Sequence, residues 1–352
     1  MNAASALWRR SKSELKDEDY NEFYKTLGHD MEDPLLHIHT RAEGKMEYNT
    51  LFYIPKKAPI DLFWTDFTPG VKLYIKRVFI TDGEKELLPL YLRFVRGVID
   101  SEDLPLNISR EILQKNRILT SIKNASVKKI LGELQNLKKD KEKYDSFYTE
   151  FRRLLKEGVY QDFSNRDTLL ELVQFKSTKI EGYTGFAEYK DRMKPEQKTI
   201  YYITGENEQN LKNSPLLEAY KVKDIEVLIM DDDIDEIVTP SIGKYRDIEL
   251  ISVNRSDAAD ELKTDEDKES EKKIEPLIKK IKKVLGNDVK DVRASTRLSD
   301  SPSCIVADEK DPTIQMQHLL RSMGQSDIPE IKPVLEINPG ARNCPEACKH
   351  RK

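Results

Sequence analysis

The residues most suggestive of chemistry lie in the stretch LPLNISREILQKN. Ser109 is a suitable helix N-cap, and the residues after it are typical of a first helical turn. Arg110 is therefore expected at the helix end that carries partial positive charge and normally favours Asp or Glu. Gln114 follows one turn later on the same face. The pattern fits an anion-binding site and, equally, a surface salt bridge with Glu111 or Asp103.

Two other groups have side chains that bind metals. His37 and His39 are two residues apart in a predicted strand, so both point to one face. Because no third ligand is nearby, we interpret them as surface histidines. Cys344, Cys348 and His350 resemble part of a zinc site but lack the fourth ligand that a structural site needs. No metal site is therefore expected.

Two turns after predicted strands could bind a metal or a nucleotide. Asp231, Asp232 and Asp233 form a carboxylate cluster, but no second ligand set accompanies them, which favours a solvated turn. The segment TGENEQN has a single glycine, whereas a dinucleotide-binding loop needs several. The sequence thus predicts no cofactor site in either turn.

Composition excludes several classes of protein. The chain has 352 residues, of which 35% are charged, yet Lys+Arg 59 and Asp+Glu 63 nearly cancel to a net charge of -4. This balance does not favour nucleic-acid binding. Three cysteines are too few for a disulfide framework, and no apolar run approaches the roughly 18 residues that span a bilayer. The N-terminal segment lacks the apolar core of a secretory signal, so a cytoplasmic protein with no membrane partner is expected.

The first half of the chain combines a sheet with two helices. Residues 37–55 are typical of a hairpin turning at Glu43-Gly44, and VKLYIKRVFITD predicts one long strand ending at Asp82-Gly83. From Leu119 the apolar residues recur at helical spacing. This spacing predicts two helices joined near residues 138–142.

The second half alternates strands and helices. TIYYIT, IEVLIM and DIELISV predict three strands, and Ser214-Pro215 predicts a helix start between the first two, as in a parallel αβα unit. A charged stretch follows, which we interpret as a solvated linker or frayed helix. Pro276 then begins a predicted helix, two short strands come next, and DPTIQMQHLLRSMG predicts a last helix over 311–324.

The arginine-containing stretch resembles a motif of the heat-shock protein 90 chaperones, in their bacterial HtpG branch. EFYK, the pattern PxxAPxDLF and VKLYIKRVFITD extend the similarity upstream, and CIVADE and LEINP extend it downstream, so that it covers about residues 1–339. The resemblance implies a mixed α+β and α/β fold. A layered αβα middle domain would be followed by a partial mixed α/β C-terminal domain.

The resemblance also implies domain boundaries. The expected segments are a large α/β subdomain (1–118), a helical connector (119–179), a small αβα subdomain (180–254), a charged linker (255–273), a truncated C-terminal domain (274–339) and a tail outside the family pattern (340–352).

A catalytic role follows from the resemblance rather than from spacing. The family arginine that reaches the γ-phosphate of ATP falls on Arg110, with polar partners at Asn107 and Gln114. ATP and Mg belong to the family's N-terminal nucleotide-binding domain, after which this chain is expected to begin. The chain alone is therefore expected to have no cofactor and no ATP hydrolysis.

The second role that the resemblance implies is the binding of client proteins, as part of protein folding under stress. Trp8 falls on a family tryptophan, with a half-buried packing role as the alternative. Met316, Leu319, Leu320 and Met323 form one apolar helix face, which suits either a core or promiscuous binding. The chain is then expected to be a monomeric chaperone fragment that binds unfolded proteins. The alternative is an ATP-independent scaffold remnant without a catalytic cycle.

Overall fold

The computed structural model describes residues 6–28, 30–44, 46–106, 116–263, 265–309, 311–322 and 331–341. The chain divides into two compact units, unit 1 (Met1–Val173) and unit 2 (Gln174–Lys352). Each unit combines sheets and helices, which confirms the mixed α+β and α/β class predicted from the sequence.

Within its described residues, unit 1 contains a mixed five-stranded sheet and four α-helices. The helices are α1 (Asp17–Gly28), α2 (Arg117–Leu137), α3 (Lys141–Gln161) and α4 (Arg166–Leu172). The strands are β1 (Leu36–Ala42), β2 (Tyr48–Ile54), β3 (Gly70–Ile75), β4 (Val78–Asp82) and β5 (Arg96–Ser101). Their spatial order is β1-β2-β5-β3-β4, with only the β3–β5 pair parallel.

Strand β2 of the unit 1 sheet is buried over its whole length. Its neighbour β1 pairs antiparallel with it, which confirms the predicted hairpin at Glu43-Gly44. Helix α1 covers one face because Tyr20 and Tyr24 lie one turn apart and pack against Leu51, Tyr53 and Val98. Burial of these rings holds the helix on the sheet.

The single long strand predicted for VKLYIKRVFITD is wrong. The chain instead reverses at Lys76 and Arg77, and β3 and β4 pair antiparallel from Ile75 and Val78 outward. Lys76 and Arg77 have φ angles of 49° and 70°, the left-handed values that a two-residue hairpin loop requires. Such loops normally use Asn or Gly, so the sequence contained no turn signal.

The helical prediction for unit 1 is confirmed. Helices α2 and α3 are separated by the short link at residues 138–140, close to the expected junction. Asn116 caps α2, and Asp140 caps α3 by accepting the Lys143 N–H. The apolar stripe of α3 is fully buried and reaches the sheet subdomain, where Phe151 stacks on Phe94 at 4.6 Å.

Unit 2 begins with a second five-stranded sheet. Its strands are β6 (Lys176–Ser177), β7 (Thr199–Thr204), β8 (Val227–Met230), β9 (Lys244–Tyr245) and β10 (Ile248–Ser252), in the order β6-β8-β7-β10-β9. The three central strands are parallel, as the sequence predicted. The accompanying helices are α5 (Phe186–Arg192), α6 (Glu208–Lys212), α7 (Glu218–Val222) and α8 (Asp235–Ile242).

The first part of the charged stretch, which we interpreted as a solvated linker or frayed helix, is partly buried. Ala258, Ala259 and Leu262 are buried, and the Tyr220 hydroxyl donates to the Ala258 carbonyl at 3.0 Å. Helix α9 (Asp265–Leu285) then begins well before Pro276, where the sequence predicted its start. Glu and Lys are good helix formers and need no apolar stripe for this, while acidic residues near the N-terminus match the helix dipole.

The remainder of unit 2 adds a three-stranded sheet and another helix. The elements are β11 (Asp291–Ala294), β12 (Ser303–Val306), α10 (Ile314–Ser322) and β13 (Val334–Ile337). Strand β13 lies in the centre, parallel to β11 and antiparallel to β12. Val306 and Val334 share one hydrophobic cluster with Tyr201 and Leu217 of the αβα segment. The two predicted segments 180–254 and 274–339 therefore fold on one core.

A buried ion pair joins the two sheets of unit 2. Arg297 is 1% exposed and Glu336 is 2% exposed. The Arg297 Nε lies 2.9 Å from Glu336 Oε2 without the alignment of a good hydrogen bond, and its other nitrogens donate to the carbonyls of Val253, Arg255 and Ser256. Because Val253 directly follows β10 and Glu336 lies on β13, the pair fixes their relative position.

Removal of the Glu336 charge should strongly destabilise unit 2. Glu336→Gln leaves the Arg297 guanidinium buried without its counter-charge, which we expect to cost about 3 to 5 kcal/mol. Glu249→Gln is the matched control, because Glu249 pairs with Lys244 at the surface and should cost less than about 0.5 kcal/mol. Hydrogen exchange of peptides from unit 2 measures the loss of stability in both variants. Equal protection in the two variants would contradict the expectation.

Candidate functional site

The three predicted catalytic residues, Asn107, Arg110 and Gln114, lie outside the described residues, as does the predicted N-cap Ser109. The structure describes the two ends of their segment. On the upstream side the chain leaves β5 at Ser101. On the downstream side Asn116 begins α2, since its Oδ1 accepts the N–H groups of the next turn at 2.9 and 3.2 Å. Each end is thus attached to a regular element.

The upstream end is held by a buried carboxylate. Asp100 is 1% exposed, and its Oδ2 accepts the Trp8 indole N–H at 2.9 Å. Its Oδ1 accepts the backbone N–H of Arg77 at 3.2 Å, and the Arg9 guanidinium lies 3.6 Å away. Asp100 therefore connects the N-terminal segment, the β3–β4 loop and the end of β5.

Two further contacts continue this anchoring toward the predicted site. The Glu102 N–H donates to the Glu47 carbonyl at 2.9 Å, and Asp103 Oδ2 accepts the Glu47 N–H at 2.7 Å. Arg9 also pairs with the Glu102 carboxylate. The carboxylate of Asp103, one of the two partners considered for Arg110, is therefore engaged with the backbone next to β2.

Trp8 belongs to the core of unit 1. It is 7% exposed and its ring lies 4.8 Å from Tyr74 and 5.7 Å from Phe23. Its buried position agrees with the packing alternative. Its predicted role in client binding stays a prediction.

The interpretation of His39 as a surface residue is wrong. His39 is 6% exposed, its Nδ1 lies 2.8 Å from the Tyr20 hydroxyl, and its Nε2 lies 2.9 Å from the Trp8 carbonyl. The neutral ring satisfies both contacts if Nε2–H donates to the carbonyl and Nδ1 accepts from Tyr20. His37 stacks on Tyr20 at 3.9 Å. Burial lowers the pKa of both histidines.

The predicted client-binding stripe lies on α10. Thr313 caps this helix by accepting the Met316 N–H at 3.1 Å, and its hydroxyl donates to the buried carboxylate of Glu236 at 2.7 Å. Thr313 and Gln317 are the buried side chains, so they define the inward face. Met316, Leu319 and Leu320 are half-buried, and Met323 lies outside the described residues. The stripe therefore borders the inward face and remains partly accessible.

A cleft of about 580 Å³ lies beside α10. Two apolar residues that the sequence analysis missed line it, Ile305 at 52% exposed and Ile314 at 41% exposed. Period-two alternation could have identified Ile305, because Cys304 and Val306 on either side of it pack toward the core. The polar wall of the cleft comes from the segment after β7, including Asn207 and Asn210.

The acidic turn after β8 is held by a lysine. Lys176 donates to Asp231 at 2.7 Å and pairs with Glu208 at 2.9 Å. Burial opposes the charge on Lys176, but its bonds with both carboxylates outweigh this and raise its pKa. Within the described residues, no group of three or more His, Cys, Asp or Glu could hold a metal ion. Cys344, Cys348 and His350 lie outside that part of the chain.

None of the helices in the described ranges is both long and apolar enough to cross a membrane.

The chain is similar to known proteins of one family. The Hsp90 protein family profile matches residues 1–344. The Chaperone protein HtpG of Treponema denticola is 60% identical over 347 residues, covering 96% of this chain and 54% of that protein. Its Treponema pallidum counterpart is 56% identical with the same coverage. The chain thus spans about half the length of these relatives.

A solved structure is also similar. The middle domain of a Plasmodium falciparum heat shock protein matches with a TM-score of 0.64 and 34% sequence identity. The match covers 71% of this chain and 100% of that structure.

A fall in pH should lower the stability of unit 1 through protonation of His39. Burial lowers the pKa of His39 below its ordinary value of 6.5, so the unfolded chain takes up a proton first as the pH falls. The contribution of neutral His39 to the free energy of unfolding should therefore be complete above pH 6.5. It should decline as the pH falls toward about 5. Trp8 fluorescence during urea unfolding, in a Trp64→Phe background, measures this because the two tryptophans both lie in unit 1.

The decline should be smaller in His39→Gln, which cannot take up a proton. His318→Gln is the control because His318 is exposed and lies in unit 2. The expectation is wrong if parent and His39→Gln lose stability equally over this pH range.

Proposed function

The chain belongs to the Hsp90 family, and on that premise we propose that it is a segment of an HtpG-like cytoplasmic chaperone that binds unfolded or partly folded client proteins. In the complete protein, an N-terminal domain would bind ATP and Mg, and this segment would assist ATP hydrolysis through Arg110. Both activities are proposed here for a chain that spans 54% of its relative from T. denticola.

The observation that supports client binding is the apolar surface around α10. Met316, Leu319 and Leu320 are half-buried on α10, and Ile305 and Ile314 are exposed at the cleft beside the same helix. Each such side chain contributes about 1.5 to 3 kcal/mol when it becomes fully buried. Several partial burials together would give weak binding to exposed apolar segments. Methionine and leucine also adapt to partners of varied shape.

Charge placed on this surface should abolish most client holding. Met316→Asp combined with Leu320→Asp introduces two carboxylates that an apolar client segment would have to desolvate. We expect the parent chain to delay aggregation of a denatured test protein without ATP, and the double variant to lose most of that delay. Light scattering of the test protein measures the effect.

The matched control is Val222→Asp combined with Val284→Asp. These valines are 73% and 79% exposed in the same unit, so the control adds the same charge at exposed apolar positions away from the cleft. Circular dichroism must show that both double variants are folded. If both delay aggregation as well as the parent does, client binding at α10 is wrong.

The role of Arg110 is supported by the family relationship and by the anchored ends of its segment. A guanidinium that reaches the γ-phosphate stabilises the charge that develops during phosphoryl transfer. Such a group acts only if its backbone is correctly placed. The bonds of Asp100 at the end of β5 and of Asn116 at the start of α2 restrict both ends of the segment.

Arg110 can be tested after the nucleotide-binding domain of the T. denticola relative is fused to the chain. Arg110→Ala should lower kcat by about a thousandfold, the low end of the effect of an arginine finger. Arg110→Lys should restore only part of it, since lysine lacks the planar fork of donors. Steady-state phosphate release measures kcat.

Arg117→Ala serves as the control, because Arg117 is exposed in the first turn of α2 and close in sequence to Arg110. It should leave kcat nearly unchanged. An Arg110→Ala fusion as active as the parent fusion would leave Arg110 as a surface salt-bridge residue.

A further inference from the structure

Unit 2 contains a second cavity, of about 650 Å³, that shares no lining residue with the cleft beside α10. Its walls come from the segment before β7, from the turn between α7 and β8, and from the chain just before α9. Sites that bind small organic molecules typically have volumes of about 300 to 1,000 Å³. The cavity is therefore large enough for a ligand of that class.

The floor of this cavity is apolar. Tyr201 and Leu262 are 2% and 8% exposed, and Ile225 is half-buried beside them. The Tyr201 ring packs edge-on against Tyr220 at 4.9 Å, and the Ile225 N–H donates to the Tyr220 carbonyl at 2.8 Å. These contacts fix the floor in position before any ligand arrives.

The rim is cationic. Three lysines line the cavity, Lys194, Lys198 and Lys223, against the single carboxylate of Glu196. The Lys194 ammonium donates to the Lys223 carbonyl at 2.7 Å and lies 3.8 Å from Asp224. The Lys223 ammonium donates to the Leu262 carbonyl. Carbonyl oxygens orient these ammonium groups but do not neutralise their charge.

Two of these cations lack a counter-charge. In the described ranges of the chain, no carboxylate forms an ion pair with Lys198 or Lys223. Lys223 is half-buried, so its charge is also partly removed from water. An anion in the cavity would improve the electrostatics of both lysines, since charge-assisted hydrogen bonds are stronger than those to neutral acceptors.

We propose that this cavity binds a small amphipathic anion, a carboxylate with an aliphatic body. The carboxylate would accept hydrogen bonds from Lys198 and Lys223, whose ammonium groups have free donors. The aliphatic body would lie on Tyr201, Ile225 and Leu262. This site is independent of client binding at α10 and of the role of Arg110.

The test uses octanoate and 1-octanol as probes of the full chain, measured by titration calorimetry. Octanoate should bind at one site, and 1-octanol, which has the same chain length without the charge, should bind at least tenfold more weakly. Lys198→Met combined with Lys223→Met keeps the aliphatic stems and removes both charges. It should weaken octanoate about tenfold, whereas Lys244→Met, at an exposed surface pair, should not.

Nuclear magnetic resonance of methyl groups locates the ligand. The methyl signals of Ile225 and Leu262 should shift on octanoate addition, before those of Ile305 and Ile314 at the α10 cleft. If the double variant fails to fold, Lys198→Met alone gives the answer, because Lys198 is exposed and its replacement does not disturb the core.

Four results would overturn the proposal, and the first three concern affinity and location. These are equal affinities for octanoate and 1-octanol, unchanged octanoate binding when the lysines are replaced, and shifts confined to Ile305 and Ile314. Absence of any saturable octanoate binding would overturn it as well.

Discussion

A buried carboxylate must keep all of its hydrogen-bond partners, and this constraint organises each unit of the chain. In unit 1, Asp100 holds Trp8 and the backbone of Arg77 against β5. In unit 2, Glu336 holds Arg297, which in turn binds the backbone after β10. Loss of any partner would leave a charge or a polar group unsatisfied in a low-dielectric environment. Segments that are distant in sequence are therefore fixed together more specifically than apolar packing alone would achieve.

The sequence predicted elements whose signal is local and regular. The helices on either side of residues 138–140 follow from an apolar spacing of 3.6, and the parallel strands of unit 2 follow from short apolar runs with a helix between them. The sequence did not predict features that depend on tertiary contacts. The loop at Lys76 and Arg77 has no turn residues, and it is held in part by Asp100. His39 looks like a surface residue in a polar strand, yet Trp8 and Tyr20 bury it.

The candidate sites were predictable to different degrees. Helical spacing alone identified the face of α10 that contains Met316 and Leu320. The neighbouring Ile305 was missed because it belongs to another element, which only the folded chain brings beside that helix. For Arg110, residue type and spacing left an anion site and a salt bridge equally open, and the proposed contact with a phosphate comes from the family relationship. The lysine cavity could not be predicted, since its walls combine three segments that no local pattern connects.

The central position of β13 has a consequence for the order of events on the ribosome. Strands β11 and β12 make no pair with each other in the described sheet, because both pair with β13, which follows them in the chain. Glu336 lies 39 residues after Arg297, an interval that takes roughly 2 to 8 s at about 5 to 20 residues per second of synthesis. During that interval the Arg297 guanidinium lacks its counter-charge. The nascent unit 2 therefore cannot close its core early, whereas all five strands of the first sheet have already been made.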